Sequence, residues 1–417
     1  MKVGDIANAE AAPYGKPLDG VRVLALEQMQ AVPYGTQLLA RLGADVVKVE
    51  APGGGESGRG AQPSVPDPYG RSMGATFLRN NLGKRSIAID LKTDAGQDLV
   101  RRLTPRFDVL AENFKPGTLS RLGLDYESIS PIAPRLVYVS VTGFGNGGSP
   151  YADWPAYAAI AESMSGIYEF MRHENEAPRA NPVGALGDIS SALFAVIGTL
   201  AALRHRDATG EGQHVDVAMY DATVAMTDIV MNYFSMGIDA LHRNRGSIID
   251  SFRANDGWFV MQLVREHQFV RLAGVVEHPE WLDDERLADR FGWSRHLETV
   301  VRPVIEEWAA QYTKLEAAQI LTAAGIAASP CQVAGEVVVD PHLLQRNMIL
   351  ELDRPDGEEP PVLIPGNPVK LSKVADGPER RVPWLGEHTR DVLRDELGLD
   401  DDELDRLAAD GAIAGTP

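Results

Sequence analysis

VRVLAL (Val21–Leu26), TQLLARLG (Thr36–Gly43) and DVVKVE (Asp45–Glu50) follow one another with only short connections. The outer two are short, Val-rich runs that read as strands, the first of them buried. The middle one repeats its apolar residues at helical spacing and stops at a glycine. A strand, a helix and a second strand in that order make a parallel pair joined by a right-handed crossover. The pattern continues with a strand at RSIAIDL (Arg85–Leu91) and a helix through Leu103, opened by Asp94 and Gln97 as a capping box. FDVLAE (Phe107–Glu112) and LVYVSV (Leu136–Val141) extend the alternation. The first half therefore reads as an α/β domain, a Rossmann-like doubly wound parallel sheet.

Beyond it, Ser190–Arg206 and Tyr220–Met236 read as long apolar helices, with the strand GQHVDVAM (212–219) between them. From about Asn255 the texture changes. GWFVMQLV (Gly257–Val264) is one strand, and helices are expected at Arg295–Gln311 and Lys314–Ala324, the latter capped by Thr313 and Glu316. This stretch reads as a second, smaller domain. GEHTRDVLRDEL (Gly386–Leu397) is a final amphipathic helix, and the acidic run Asp400–Asp405 is a solvated helix face. Residues 1–17 read as a loose arm, and Pro52–Gly70, rich in Gly and Pro, as a flexible surface excursion.

Composition narrows the function. With 40 Lys+Arg against 59 Asp+Glu, the net charge is −19, which argues against nucleic acid or an anionic membrane as partner. The single cysteine, Cys331, excludes an internal disulfide framework and a Cys-based zinc site, and it reads as a small buried apolar residue. No secretory signal is visible, and the longest apolar run, Ser191–Leu203, falls short of the roughly 20 residues that span a bilayer. A cytoplasmic location is expected, with no metal: the nine histidines form no metal-binding motif. Gly53–Gly58 and Gly143–Gly148 both match G-x-G-x-x-G, but neither opens a helix, so neither reads as a dinucleotide site.

One segment does point to chemistry. Gly184-Ala-Leu-Gly-Asp-Ile-Ser190 sets Asp188 among glycines at the start of the most apolar helix. Asp188 reads as a helix N-cap, and equally as a carboxylate kept ionised by the helix terminus and so fit for nucleophilic attack. The neighbouring Gly187 lets a substrate approach without a Cβ in the way.

The chain also resembles the family III CoA-transferases, of the formyl-CoA and carnitine CoA-transferase type. The matching stretches are PLDGVRVLAL (17–26), QLLARLGADVVKVE (37–50), NLGKRSIAIDLKTDAG (81–96) and ENFKPGTLSRLGLDY (112–126). GALGDISSALFAVIGTLAAL (184–203), GEGQHVDVAMYDA (210–222), GNPVKLS (366–372) and LGEHTRDVL (385–393) follow in order. The resemblance implies transfer of coenzyme A from an acyl-CoA donor to a carboxylic acid, through an aspartyl anhydride and an aspartyl-CoA thioester on Asp188. It places Gln30, Ala31, Lys92, Asn113, Phe114, Arg121 and Tyr157 at CoA-binding positions. Glu162 and Gly187 are expected to orient substrate. CoA is thus a substrate, with no tightly bound cofactor.

The resemblance also implies a discontinuous large domain (1–225 and 330–417), a small domain at 226–329, and an interlocked homodimer. Three departures stand out. Val32 replaces a glycine, Ala51 replaces an arginine, and Arg253–Trp258 occupies the place of the tetraglycine loop of formyl-CoA transferase. Two alternatives remain: an α-methylacyl-CoA racemase or epimerase, and a non-catalytic CoA-binding protein. Racemases of this superfamily pair their aspartate with a histidine in Gly-His-Asp, where this chain has Ala156-Tyr157-Ala158. Tyrosine, with a reference pKa of about 10, is a poor base at neutral pH.

Overall fold

The computed structural model describes residues 1–171, 176–180, 184–237 and 246–415. Contacts divide the chain into two units, Met1–Asn232 with Pro341–Pro417, and Tyr233–Asp340. The second unit starts and ends further along the chain than 226–329. At its far end, Glu336 on the turn Ala334–Val337 pairs with Lys314 at 2.6 Å and so stays with the small unit.

In chain order, the first unit contains β1 (Arg22–Leu26), α1 (Ala31–Arg41), β2 (Asp45–Glu50), a small hairpin of β3 (Ser64–Pro66) and β4 (Ser72–Gly74), and α2 (Ala75–Asn80). It continues with β5 (Arg85–Ile89), α3 (Asp94–Leu103), β6 (Val109–Glu112), α4 (Thr118–Arg121), α5 (Tyr126–Ile129) and β7 (Val137–Thr142). Next come α6 (Ala158–Met164), α7 (Leu186–Thr209), β8 (Gln213–Ala218), α8 (Met219–Ala225) and α9 (Asp228–Ser235). The helix expected over Tyr220–Met236 is therefore two, broken at Met226–Thr227. The small unit holds β9 (Ile248–Ala254), β10 (Gly257–Leu263) and β11 (Ala327–Pro330). The closing part of the chain adds β12 (Ile349–Leu352), β13 (Val362–Pro365) and β14 (Ile413–Ala414).

The main sheet runs β14-β5-β2-β1-β6-β7-β8, parallel throughout except for β14, which pairs antiparallel with β5. This is the doubly wound arrangement the alternation predicted, and the antiparallel edge strand is an addition. Strand residues alternate between two cores. Leu24, Leu26, Val49, Ile87 and Ile89 face α3 and the C-terminal helices Thr389–Leu397 and Asp401–Ala409. Val23, Ala25, Val46, Val109 and Val139 face α1 and α7. The second face carries smaller side chains, which lets those two helices lie close. A Cβ on Gly35 of α1 would come within 3.4 Å of the Ala192 carbonyl of α7.

α7 has 24 residues and is apolar enough to cross a bilayer by length and composition, which corrects the expectation drawn from Ser191–Leu203 alone. Its inner side, Ser191, Ala192, Ala195, Thr199 and Ala202, is buried in the large unit, whereas Leu193, Phe194, Ile197 and Leu200 are exposed.

The small unit is a three-stranded antiparallel sheet, β11-β10-β9, under helices whose core stacks Phe269 between Trp281 and Trp293. The helix expected at Arg295–Gln311 is a π turn at Leu297–Val301 followed by a helix at Arg302–Ala309. Thr313 and Glu316 form the expected capping box. Cys331 is exposed, not buried, because it lies just beyond β11 at the end of the sheet.

Candidate active site

β1 and β6 are neighbours, and the chain winds away from them in opposite directions, to β2 and to β7. A crevice for ligands opens at such a switch point, beyond the carboxyl ends of the strands. Two turns flank it here. Asn113 follows β6 and holds both backbone groups of Gln28: its Oδ1 accepts from the Gln28 amide, and its Nδ2 donates to the Gln28 carbonyl, each at 2.8 Å. Gln30 starts α1 without a side-chain cap, and the amides of Ala31 and Val32 find no acceptor among the described residues. Phe114 is half-buried beside them and donates its amide to Glu112 at 2.8 Å. Burial pushes the Glu112 carboxyl up to about 7. Lys92 is exposed just past β5, and Arg121 is exposed at the end of α4, so both cations rise from this edge.

Beneath the crevice lies a network of buried charges. Glu27 accepts from Thr36 at 2.6 Å, from Lys84 at 2.6 Å and from Lys48 at 3.2 Å. Lys84 also donates to the Pro33 carbonyl at 2.9 Å, which ties the first turn of α1 to the strand ends. Glu50 pairs with Arg59 at 2.7 Å. Burial alone would raise the Glu50 carboxyl, but the Arg59 guanidinium outweighs it and holds the group at about 2. The expected flexible excursion Pro52–Gly70 is therefore pinned at its start. Arg59 is buried and stacks on Phe77, 3.8 Å from the ring centre.

Asp188 lies on the same sheet edge, since α1 and α7 run side by side and both begin there. It is not the N-cap. Ala185 holds that position after a left-handed Gly184, and Asp188 is the third residue of α7. Its carboxylate is half-buried and accepts no hydrogen bond among the described residues. Burial, reinforced by the charge of Glu162, pushes its pKa up to about 6. The expected stabilisation by the helix terminus is reversed, because no first-turn amide is bonded to it and a second carboxylate lies close by. At pH 7 roughly nine in ten molecules still carry the charge.

α6 and α8 close around this point. A Cβ on Gly187 would meet Ala158 Cα at 3.0 Å and Met219 Sδ at 3.1 Å, so glycine lets α6 and α8 pack tightly against α7. Glu162, 2% exposed, accepts the Gly187 amide at 3.1 Å and the Tyr168 hydroxyl at 3.0 Å. Both its oxygens are engaged. It caps α7 from another helix. Tyr157, 74% exposed, stands at the start of α6.

This arrangement predicts a pH effect. In Glu162→Gln the amide oxygen still caps Gly187, but the charge beside Asp188 is gone. The titration of the Asp188 carboxyl, followed by NMR, moves to lower pH, by up to about one unit. An unmoved titration would show that Glu162 acts through packing alone.

The structure places Gln30, Ala31, Asn113 and Phe114 at the switch point, and Tyr157, Glu162, Gly187 and Asp188 around the start of α7. Glu56 and Met29 adjoin the first group and Met219 the second, and the sequence reading named none of the three. Glu56 and Arg59 were legible only as charges in a glycine-rich loop, and Met219 left no signal.

Comparison with known proteins gives a consistent result. Residues 18–389 match CoA-transferase family III. The chain is 34% identical to succinyl-CoA:mesaconate CoA-transferase of Haloarcula hispanica, covering 92% of this chain and 96% of that protein. It is 36% identical to formyl-CoA:oxalate CoA-transferase of Streptomyces avermitilis, covering 95% and 100%. Among solved structures, a CAIB/BAIF family protein from Brucella suis superposes with a TM-score of 0.81 at 32% identity, covering 91% of this chain and 99% of that one.

Proposed function

The chain belongs to CoA-transferase family III, and from that premise we propose that Asp188 is the nucleophile that carries CoA between carboxylic acids. The carrying observation is the convergence of α6, α7 and α8 on a half-buried carboxylate without a hydrogen-bond partner among the described residues, on the same sheet edge as the β1/β6 switch point. In the first step Asp188 attacks the thioester carbonyl, the C–S bond breaks and CoA leaves as thiolate. A mixed anhydride remains. The thiolate then attacks the Asp188 carbonyl carbon of the anhydride, the donor acid departs as carboxylate, and an aspartyl-CoA thioester forms. The acceptor carboxylate repeats the two steps in reverse and regenerates Asp188. No net proton is transferred, so an ionised carboxylate and hydrogen-bond donors for the oxyanions suffice.

The free amides at the start of α1 supply such donors. Gln30 and Ala31 hold the thioester end of CoA, with Tyr157 across the opening. Phe114 offers an adenine platform, and Lys92 and Arg121 take the phosphates. Asn113 serves the same site by holding Gln28. The exposed face of α7, Leu193, Phe194, Ile197 and Leu200, fits burial against a second copy, as an interlocked homodimer requires. A cytoplasmic location goes with this reading.

The test is incubation with an acyl-CoA donor alone. A CoA-mass adduct is expected on the peptide that contains Asp188, released by hydroxylamine, and a panel of acids then identifies acceptors. An adduct on another residue, or transfer without any adduct, would refute the assignment.

A further inference from the structure

We propose that Glu56 is a positioning residue for the acyl-CoA crevice: it latches Met29 in a left-handed conformation and so aims Gln30 and the first amides of α1. This rests on the CoA-transfer reading above and adds to it a residue from a different loop. Met29 has φ +61°, a region that residues other than glycine rarely occupy. The amide of Met29 donates to Glu56 Oε2 at 2.8 Å. The same oxygen accepts the Gly58 amide at 2.6 Å. The latch is rigid on its own side. The Glu56 amide donates to Glu50 at 3.2 Å, and Glu50 in turn holds Arg59. A Cβ on Gly58 would come 2.7 Å from Glu56 Oε1, so glycine is needed where the carboxylate folds back on its own loop.

Glu56 is 5% exposed, and its charge is opposed by Lys48 at 3.7 Å. A buried carboxylate with a counter-ion and two backbone amides on one oxygen is firmly placed. What it holds is less so. Met29 is 40% exposed and sits at the lip of the crevice, one residue before Gln30. Asn113 grips Gln28 from the other side. Together the two clamps bracket the one left-handed residue in the turn. Backbone strain held in place by surrounding structure next to a site is what a pre-organised binding turn looks like. Without the latch, Met29 relaxes to an ordinary conformation and Gln30 swings away, while Asp188, on α7, stays where it is. The effect therefore falls on binding of CoA and not on the chemical step.

The experiment uses the full chain, with acyl-CoA kinetics and CoA titration by calorimetry. Glu56→Ala is expected to raise KM for acyl-CoA and the dissociation constant for CoA about tenfold or more, with kcat within about threefold of wild type. Glu56→Gln keeps an oxygen acceptor and is expected within about threefold of wild type in all three. Adding Met29→Gly to Glu56→Ala restores most of the affinity, because glycine takes the left-handed conformation freely. Met29→Val, with the latch intact but a β-branched residue that resists this conformation, weakens binding on its own. An unchanged KM in Glu56→Ala, or a loss that Met29→Gly does not relieve, overturns the proposal. If Glu56→Ala does not fold, wild-type affinity in Met29→Val overturns it instead. A wild type that binds CoA but transfers nothing refutes the transfer reading alone, and the latch is then judged from the dissociation constants. A wild type that binds no CoA refutes both.

Discussion

Asp188→Asn is expected to lower CoA transfer by about a thousandfold or more, as loss of a covalent nucleophile does, and at the same time to stabilise the fold. The stability gain follows from linkage. The carboxyl titrates at about 6 in the folded chain, above the ordinary aspartate value of 3.8, so ionising it opposes folding. Below pH 3.8 the group is protonated in both states and there is no penalty. The penalty grows between pH 3.8 and 6 and is complete above 6. A shift of about two units corresponds to about 3 kcal/mol at neutral pH and above, of which asparagine should recover about 1–3 kcal/mol. Denaturant unfolding at pH 8 and pH 4 checks this: the variant is more stable at pH 8, and the difference vanishes towards pH 4. Near wild-type transfer in Asp188→Asn would remove the nucleophile assignment. Equal stability at pH 8 would show that the carboxylate is well accommodated in the apo fold.

Glu27→Ala is expected to be the most destabilising single change in the buried charge network, by about 3–5 kcal/mol. Glu27 has no exposed side-chain surface, and two ammonium groups share it. Its loss leaves Lys48 and Lys84 buried together, with Glu56 at 3.7 Å from Lys48 and the more distant Glu50, itself paired with Arg59, as the remaining opposing charges among the described residues. Urea titration at pH 7 measures the change. Glu27→Gln combined with Lys84→Met should be milder than the sum of its single changes, because both remove parts of the same pair. The pH dependence has the opposite sign to that of Asp188. Burial pushes the Glu27 carboxyl up, but Lys48 and Lys84 outweigh it and hold the pKa below the ordinary glutamate value of 4.5. Its contribution is present above 4.5 and is lost as pH falls through the lower folded value, so the gap between wild type and variant narrows in acid. A loss below about 1 kcal/mol would mean that water reaches the network.

The reach of the sequence and the reach of the tertiary structure divide along physical lines. Local alternation was enough for the parallel strands of the main sheet, since VRVLAL, DVVKVE, RSIAI and VYVSV are short β-branched runs separated by helical stretches, and each buries both faces. The same reading placed Asp188 at the start of α7, because the glycines and the apolar helix after it are adjacent in the chain. β14 was not legible, as its two residues pair with a strand more than 300 positions earlier. The direction of the Asp188 pKa shift was not legible, because its main cause is burial under neighbouring helices, and the second, the charge of Glu162, comes from α6 and reaches it only through packing. Glu56 looked like part of a loose glycine loop for the same reason: its partners Met29 and Lys48 come from other segments of the chain. Periodicity records which side of an element meets the core. Which charges meet across that core depends on distances in space, and only the folded chain sets those.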